Sequence, residues 1–240
     1  MNNPLSILVD LVFPSSCVSC GAPLARGNYS VCGKCLSRIE PVEKGCDLCS
    51  GMLFDGKCEI CENMKYYPSA NLVISEYSGV MKDILHAMKF ESKRRLCVPM
   101  GMLAFRKISG SGITADILTS VPMNRQKKRK RGYNQSELVA KDIAARMNIP
   151  YRELLSEVRG AGTQRSMGYR DRFINVLGRY HSKKSETIKG KDILIIDDVF
   201  TTGATVNECA RVLLDEGARS VFSLTFARAG IKRLEKNRLN

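Results

Sequence analysis

The stretch ILIIDDVFTTGAT spans residues 193–205. Four aliphatic residues lead into Asp197 and Asp198, and threonines around Gly203 follow. Such an apolar run predicts a strand buried on both faces, the central one of a parallel sheet. In open sheets of this class, ligands sit beyond the carboxyl ends of the strands, where both aspartates fall. A carboxylate accepts hydrogen bonds from two neighbouring hydroxyls, which suits a sugar cis-diol. The loop Thr201, Thr202, Gly203, Ala204 and Thr205 leads into a helix predicted over 204–216. Unpaired amides and the positive end of a helix dipole favour a phosphate there, and threonine hydroxyls add donors. Gly203 lets the backbone approach closely. One loop thus offers a diol clamp and a phosphate cradle, which a sugar phosphate satisfies together. The chain has no G-x-x-x-x-G-K-[ST] and no G-x-G-x-x-G, so a P-loop nucleotidase is disfavoured.

Working outward, residues 71–77, 115–123 and 220–227 read as further strands. Met81, Ile84, Leu85 and Met88 recur at helical spacing and predict a helix over 80–90. Val139, Ala140, Ile143 and Met147 predict another over 134–147. Alternating strands and helices predict an α/β unit with an open parallel sheet, over residues 69–240. Cys97 and Cys209 stand alone and read as core residues.

Residues 1–68 differ in kind. Eight of the ten cysteines form four C-x-x-C pairs: Cys17/Cys20, Cys32/Cys35, Cys46/Cys49 and Cys58/Cys61. Each pair sets two thiolates on one side of a tight turn, and two pairs complete a tetrahedral zinc site. Pairing in sequence order gives two consecutive zinc ribbons; spacing alone also permits interleaving. Four protein ligands close each site, which makes both structural. So small a segment has little core, so metal binding supplies much of its folding energy. Ahead of it, Leu5, Leu8, Val9 and Val12 fall at helical spacing and predict an N-terminal helix packed on the α/β unit.

The formal net charge is +14. Eight thiolates against two dications leave about +10, so the protein stays basic. That surplus points to a polyanionic partner or a phosphorylated ligand. Lys127, Lys128, Arg129, Lys130 and Arg131 form a basic run that follows Arg125. It reads as a basic loop that suits either a pyrophosphate or a nucleic-acid backbone. The opening residues lack a basic n-region, and their apolar run is broken by Asp10. No run reaches the ~20 apolar residues of a membrane span. A cytoplasmic, reducing setting is therefore expected, where paired cysteines bind metal more often than they form disulfides.

ILIIDDVFTTGAT resembles the phosphoribosyl pyrophosphate (PRPP) loop of type I phosphoribosyltransferases. VPMNRQKKRKRGYNQSELVA (121–140), TQRSMGYRDRFINV (163–176) and MKF (88–90) resemble segments of the ComF (competence protein F) family. The eight cysteines match that family's N-terminal double zinc ribbon. Tyr133 departs from the family's phenylalanine. The resemblance implies a type I phosphoribosyltransferase-like open parallel sheet with helices on both faces. It implies that Asp197 and Asp198 hold the ribose hydroxyls and that Thr201 to Thr205 cradle the 5′-phosphate. Val121, Arg125 and Arg131 would sit at the pyrophosphate with Mg2+, and Arg172 would join the aspartates in catalysis. The size of the ribbon suggests that it covers the ligand like a hood. Single-stranded DNA and a helicase or translocase of the DNA-uptake machinery are the implied partners. The expected function is single-stranded DNA handling during transformation, with PRPP bound. Nucleotide-salvage transferase and non-enzymatic PRPP-sensing adaptor are the alternatives.

Overall fold

The computed structural model describes residues 15–229, apart from 26–28, 43–44, 51–52, 54, 59–60, 62–64, 159–174 and 184. Arg172 and the apolar segment 4–13 therefore lie outside the described residues. The strand at the centre, β5, runs Asp192–Phe200, and Ile193 to Ile196 are fully buried. Its neighbours are β6 (Ser220–Arg228) and β2 (Ile117–Ser120), and β1 (Ala70–Glu76) lies outside β6. All three pairings are parallel, in the order β1-β6-β5-β2. Strand periodicity divides the apolar side chains between two faces. Leu194, Ile196, Leu224 and Phe226 share one core with Met81, Ile84, Met100 and Ile143. Ile193, Ile195 and Val221 share the other with Val206, Cys209 and Leu213.

Five helices of seven residues or more are described. Three of them, α1 (Gly79–Phe90), α2 (Cys97–Ser109) and α4 (Gln135–Met147), pack on the first face. Helix α5 (Ala204–Asp215) packs on the second. Helix α3 (Arg125–Arg131) buries nothing. The basic run expected as a loop is therefore helical. Asn124 caps it by accepting from the Gln126 amide at 2.8 Å, and Gly132 ends it in the left-handed region at φ 81°. A separate antiparallel hairpin pairs β3 (Leu155–Glu157) with β4 (Tyr180–Ser182).

Helix α2 was not expected. Pro99 sits in its first turn, where a missing N–H costs little. Gly101 lies where a Cβ would fall 1.9 Å from an Asp142 carboxylate oxygen of α4, so the glycine lets the two helices close up. Cys209 is fully buried as expected. Cys97 is only half-buried, because the first turn of α2 reaches the surface. Between the cysteine clusters, Val42 donates to the Ile74 carbonyl at 3.2 Å, and Pro41 bridges to Ser75. The cysteine module thus covers the outer edge of β1, which would otherwise be open to pairing.

Candidate functional site

At the end of β5 the chain emerges from the core carrying Asp197 and Asp198, both partly buried. Adjacent strand residues point to opposite faces. Asp198 meets the first-face helices: its Oδ2 lies 2.7 Å from Lys89 Nζ of α1 and accepts from the Gln135 side-chain amide of α4. Asp197 Oδ1 accepts from the Asp198 backbone amide at 2.8 Å. Burial, and after it the adjacent Asp198 carboxylate, pushes Asp197 up to about 7. The Asp198 amide, Lys89 and Ser136 act in the opposite direction.

Both aspartates line a cleft of about 320 Å³ at the carboxyl edge of the sheet. Thr205, Val121, Lys127 and Arg131 line the same cleft. So do Lys89, Gln135 and Ser136, to which the sequence reading gave no role. Two helix N-termini open on it: α4 through Gln135 and Ser136, and α5 through Thr205. Asn134 orders this side. Its Oδ1 accepts from the Ser136 amide at 3.1 Å, and its Nδ2 donates to the Val121 carbonyl at 3.0 Å. The Tyr133 hydroxyl donates to the Met88 carbonyl, so the extra oxygen relative to phenylalanine is satisfied in a buried place. That bond ties the 133–136 segment to the turn of α1 that carries Lys89. The far wall holds Glu157 and Arg179 as an ion pair, with Arg179 Nε donating at 2.7 Å. Counting side chains on the lining, four cations face three carboxylates.

The threonine loop is built differently from expectation. Thr201 is exposed; Thr202 is buried, and its hydroxyl accepts from the Ala204 amide at 3.3 Å. Gly203 takes φ 78° and starts α5. A Cβ there would lie 2.5 Å from the Phe200 ring and 3.2 Å from the Tyr66 ring. The close approach that the glycine permits is therefore made to these two rings.

Arg125 and Lys128 face the other way, into a neighbouring cleft of about 440 Å³. The two clefts share Pro122, Met123, Asn124, Asn134 and Glu157, so the stretch after β2 divides them. Lys128 pairs there with Glu137 at 2.8 Å. Arg129 and Lys130 face solvent. No sequence pattern announced this second cleft, because its walls come from four separate segments.

The cysteines gather in sequence order. Cys17, Cys20, Cys32 and Cys35 form one group and Cys46, Cys49, Cys58 and Cys61 the other, each with all sulfurs within 4.8 Å. Sulfur separations are 3.8 Å for Cys20–Cys32, 3.8 Å for Cys46–Cys61 and 3.4 Å for Cys49–Cys58. A disulfide needs about 2.05 Å. Four sulfurs about 2.3 Å from a tetrahedral zinc lie about 3.8 Å apart, so the residues fit the metal. The pairing left open by spacing is thus sequential, and both sites are consistent with structural zinc. Among the described residues, the second group forms no hood over the clefts. Cys49 and Cys58 pack with Phe200 and Tyr66, behind the threonine loop, and no cysteine lines either cleft.

Comparison with known proteins agrees with this architecture. A double zinc ribbon domain matches residues 8–65, and a phosphoribosyl transferase domain matches residues 134–239. The chain is 26% identical over 223 residues to DNA utilization protein YhgH of Escherichia coli, covering 88% of this chain and 96% of that one. It is 23% identical over 228 residues to Competence protein F of Haemophilus influenzae, covering 90% and 98%. It is 25% identical over 221 residues to Competence protein ComFC of Bacillus subtilis, covering 86% and 87%. Among the described residues, no helix is long and apolar enough to cross a membrane. The chain thus carries a double zinc ribbon domain followed by a phosphoribosyl transferase domain, and it is similar to these competence and DNA utilization proteins over nearly their full span.

Proposed function

We propose that the protein binds PRPP in the first cleft and handles single-stranded DNA beside it. The observation that carries this reading is the gathering of Asp197, Asp198 and Thr205 with Lys89, Lys127 and Arg131 around one cleft. The carboxylates accept from the ribose hydroxyls, and the ion pair with Lys89 aims Asp198. The N-terminus of α5 and Thr205 receive the 5′-phosphate. Lys127 and Arg131, on one side of α3, face the pyrophosphate. Mg2+ carried with that pyrophosphate supplies further charge neutralisation and needs few protein ligands. The role expected of Arg172 stays part of this proposal.

Support for the nucleic-acid half comes from α3, whose residues Arg125 to Lys130 are all exposed, and from the formal charge of +14. The names of the relatives, competence and DNA utilization proteins, point the same way. Titration of single-stranded DNA against salt tests it. Affinity is expected to fall steeply with salt, with a log–log slope of about −0.7 per phosphate neutralised. A flat salt response, or no binding, would refute it.

A second reading is favoured by the cleft next door. A phosphoribosyltransferase needs room for an acceptor beside its PRPP, and 440 Å³ suffices for a small base or amine. The sugar C1–oxygen bond would break toward pyrophosphate while the acceptor's lone pair forms the new bond. Asp197 and Asp198 would sit near the developing positive sugar and the α3 cations near the leaving group. Pyrophosphate release with a panel of acceptors decides: turnover makes the protein an enzyme, and binding without turnover leaves the first reading.

A further inference from the structure

Phe90, the last residue of α1, keeps 69% of its surface exposed, the most of any large apolar side chain described. It follows Lys89, which reaches into the first cleft to Asp198. The Arg131 guanidinium lies 5.9 Å from the ring centroid, and Arg131 lines that cleft too. The His86 ring lies 4.8 Å away, one helical turn back. Phe90 therefore stands at the rim, between the sugar-phosphate cleft and the basic helix. The surroundings carry an excess of cations: Glu91, next in sequence and 3.4 Å from His86, stands against Lys89, Arg131 and the exposed Lys93 and Arg94. Lys127, Arg129 and Lys130 of α3 have no partner among the described residues.

An isolated aromatic ring in a field of cations is a poor surface for an ordinary protein partner, which would need a contiguous apolar patch. It suits a chain that alternates aromatic faces with negative charges. We propose that Phe90 is a stacking platform for a base of single-stranded nucleic acid, whose phosphates follow the exposed cations of α3. The proposal rests on the nucleic-acid reading above and adds the residue that holds a base. Stacking tolerates any sequence, because every base has a π-face. Duplex grooves present base edges and not faces, and a duplex offers an open base face only at its ends, so single strands are preferred.

The test uses the full-length protein, an oligothymidylate, and an abasic oligomer of equal length. Phe90→Ala is expected to weaken oligothymidylate binding about tenfold and to leave abasic binding unchanged. The salt slope should stay the same, because no phosphate contact is lost. Arg129→Ala with Lys130→Ala should instead reduce the slope by about 1.4, for two contacts on a single strand. The chain contains no tryptophan, so Phe90→Trp supplies a single reporter. It should bind at least as tightly as the parent and be quenched by oligothymidylate, not by the abasic strand. Unchanged affinity in Phe90→Ala, with the parent binding well, overturns the platform and spares the nucleic-acid reading. Equal loss on both oligomers also overturns it. No binding by the parent overturns both.

Discussion

The two cysteine clusters have the same ligands and differ in what they lean on. The first is embedded in the main core: Cys17, Cys35 and Val31 share it with α1, and Ser19 donates to Asp83 of that helix at 2.7 Å. The second packs on a small cluster of its own with Phe200 and Tyr66. Phe200 ends β5, and both rings touch the place where Gly203 starts α5. Asn207 of α5 clasps the linker that leaves the second cluster, accepting from the Tyr67 amide at 2.7 Å and donating to the Lys65 carbonyl at 3.1 Å. One cysteine cluster therefore braces the fold, and the other braces the threonine loop. Identical coordination chemistry carries different consequences because the load lies in the packing.

The largest effect should follow loss of the first site. Cys35→Ser is expected to cost about 4 kcal/mol or more and to lower the melting transition of the whole chain, read by circular dichroism. Cys49→Ser should release one zinc per chain, measured by metal analysis, while the parallel sheet still melts cooperatively. Its main loss should be PRPP affinity, by about tenfold or more. If the two variants lose stability and PRPP affinity in the same proportion, the distinction between the clusters fails.

Gly203→Ala sharpens the comparison without touching a cysteine. Both the positive φ and the 2.5 Å approach to Phe200 oppose a methyl group, so a cost of about 1–3 kcal/mol is expected with both zincs retained. PRPP affinity should fall with it. Tyr133→Phe lies on the first-cluster side of the sheet and removes one buried hydroxyl. About 1 kcal/mol of stability is expected to be lost in denaturant titration, since the Met88 carbonyl loses its partner.

A further effect is that of pH. Asp197 titrates near 7 in the fold, against an ordinary value of 3.8. The folded state thus holds its proton more tightly than the unfolded chain. Raising pH from about 4 to about 7 strips the unfolded chain first, so this group's contribution to stability declines over that window and is level above it. PRPP binding uses the ionised carboxylate and should strengthen as pH rises through 7. Replacing Asp197 with Asn should flatten both trends.

Much of this was legible from residue pattern. The strand read over 191–198 was visible as a continuous apolar run, and the helices at 80–90, 134–147 and 204–216 because their burial is periodic. Helix α2 carries Pro99 and Gly101, residue types that weaken a helical pattern, and only the fold shows Pro99 in the first turn and Gly101 against Asp142. Helix α3 lacks any apolar period, although Asn124 and Gly132 mark its ends. Lys89 and Gln135 reach Asp198 across long sequence separation, so only the folded arrangement reveals them. The support of the threonine loop by the second cysteine cluster was likewise invisible, because no spacing rule links Cys49 to Gly203.

The most direct test of the account is calorimetry with PRPP and Mg2+, on the parent and on a chain carrying Asp197→Asn and Asp198→Asn. The parent should bind one PRPP, and the double variant, with its melting transition retained, should bind about 100-fold more weakly or not at all. Equal binding by a folded double variant, or no binding by the parent, would contradict the assignment of the aspartates to the sugar.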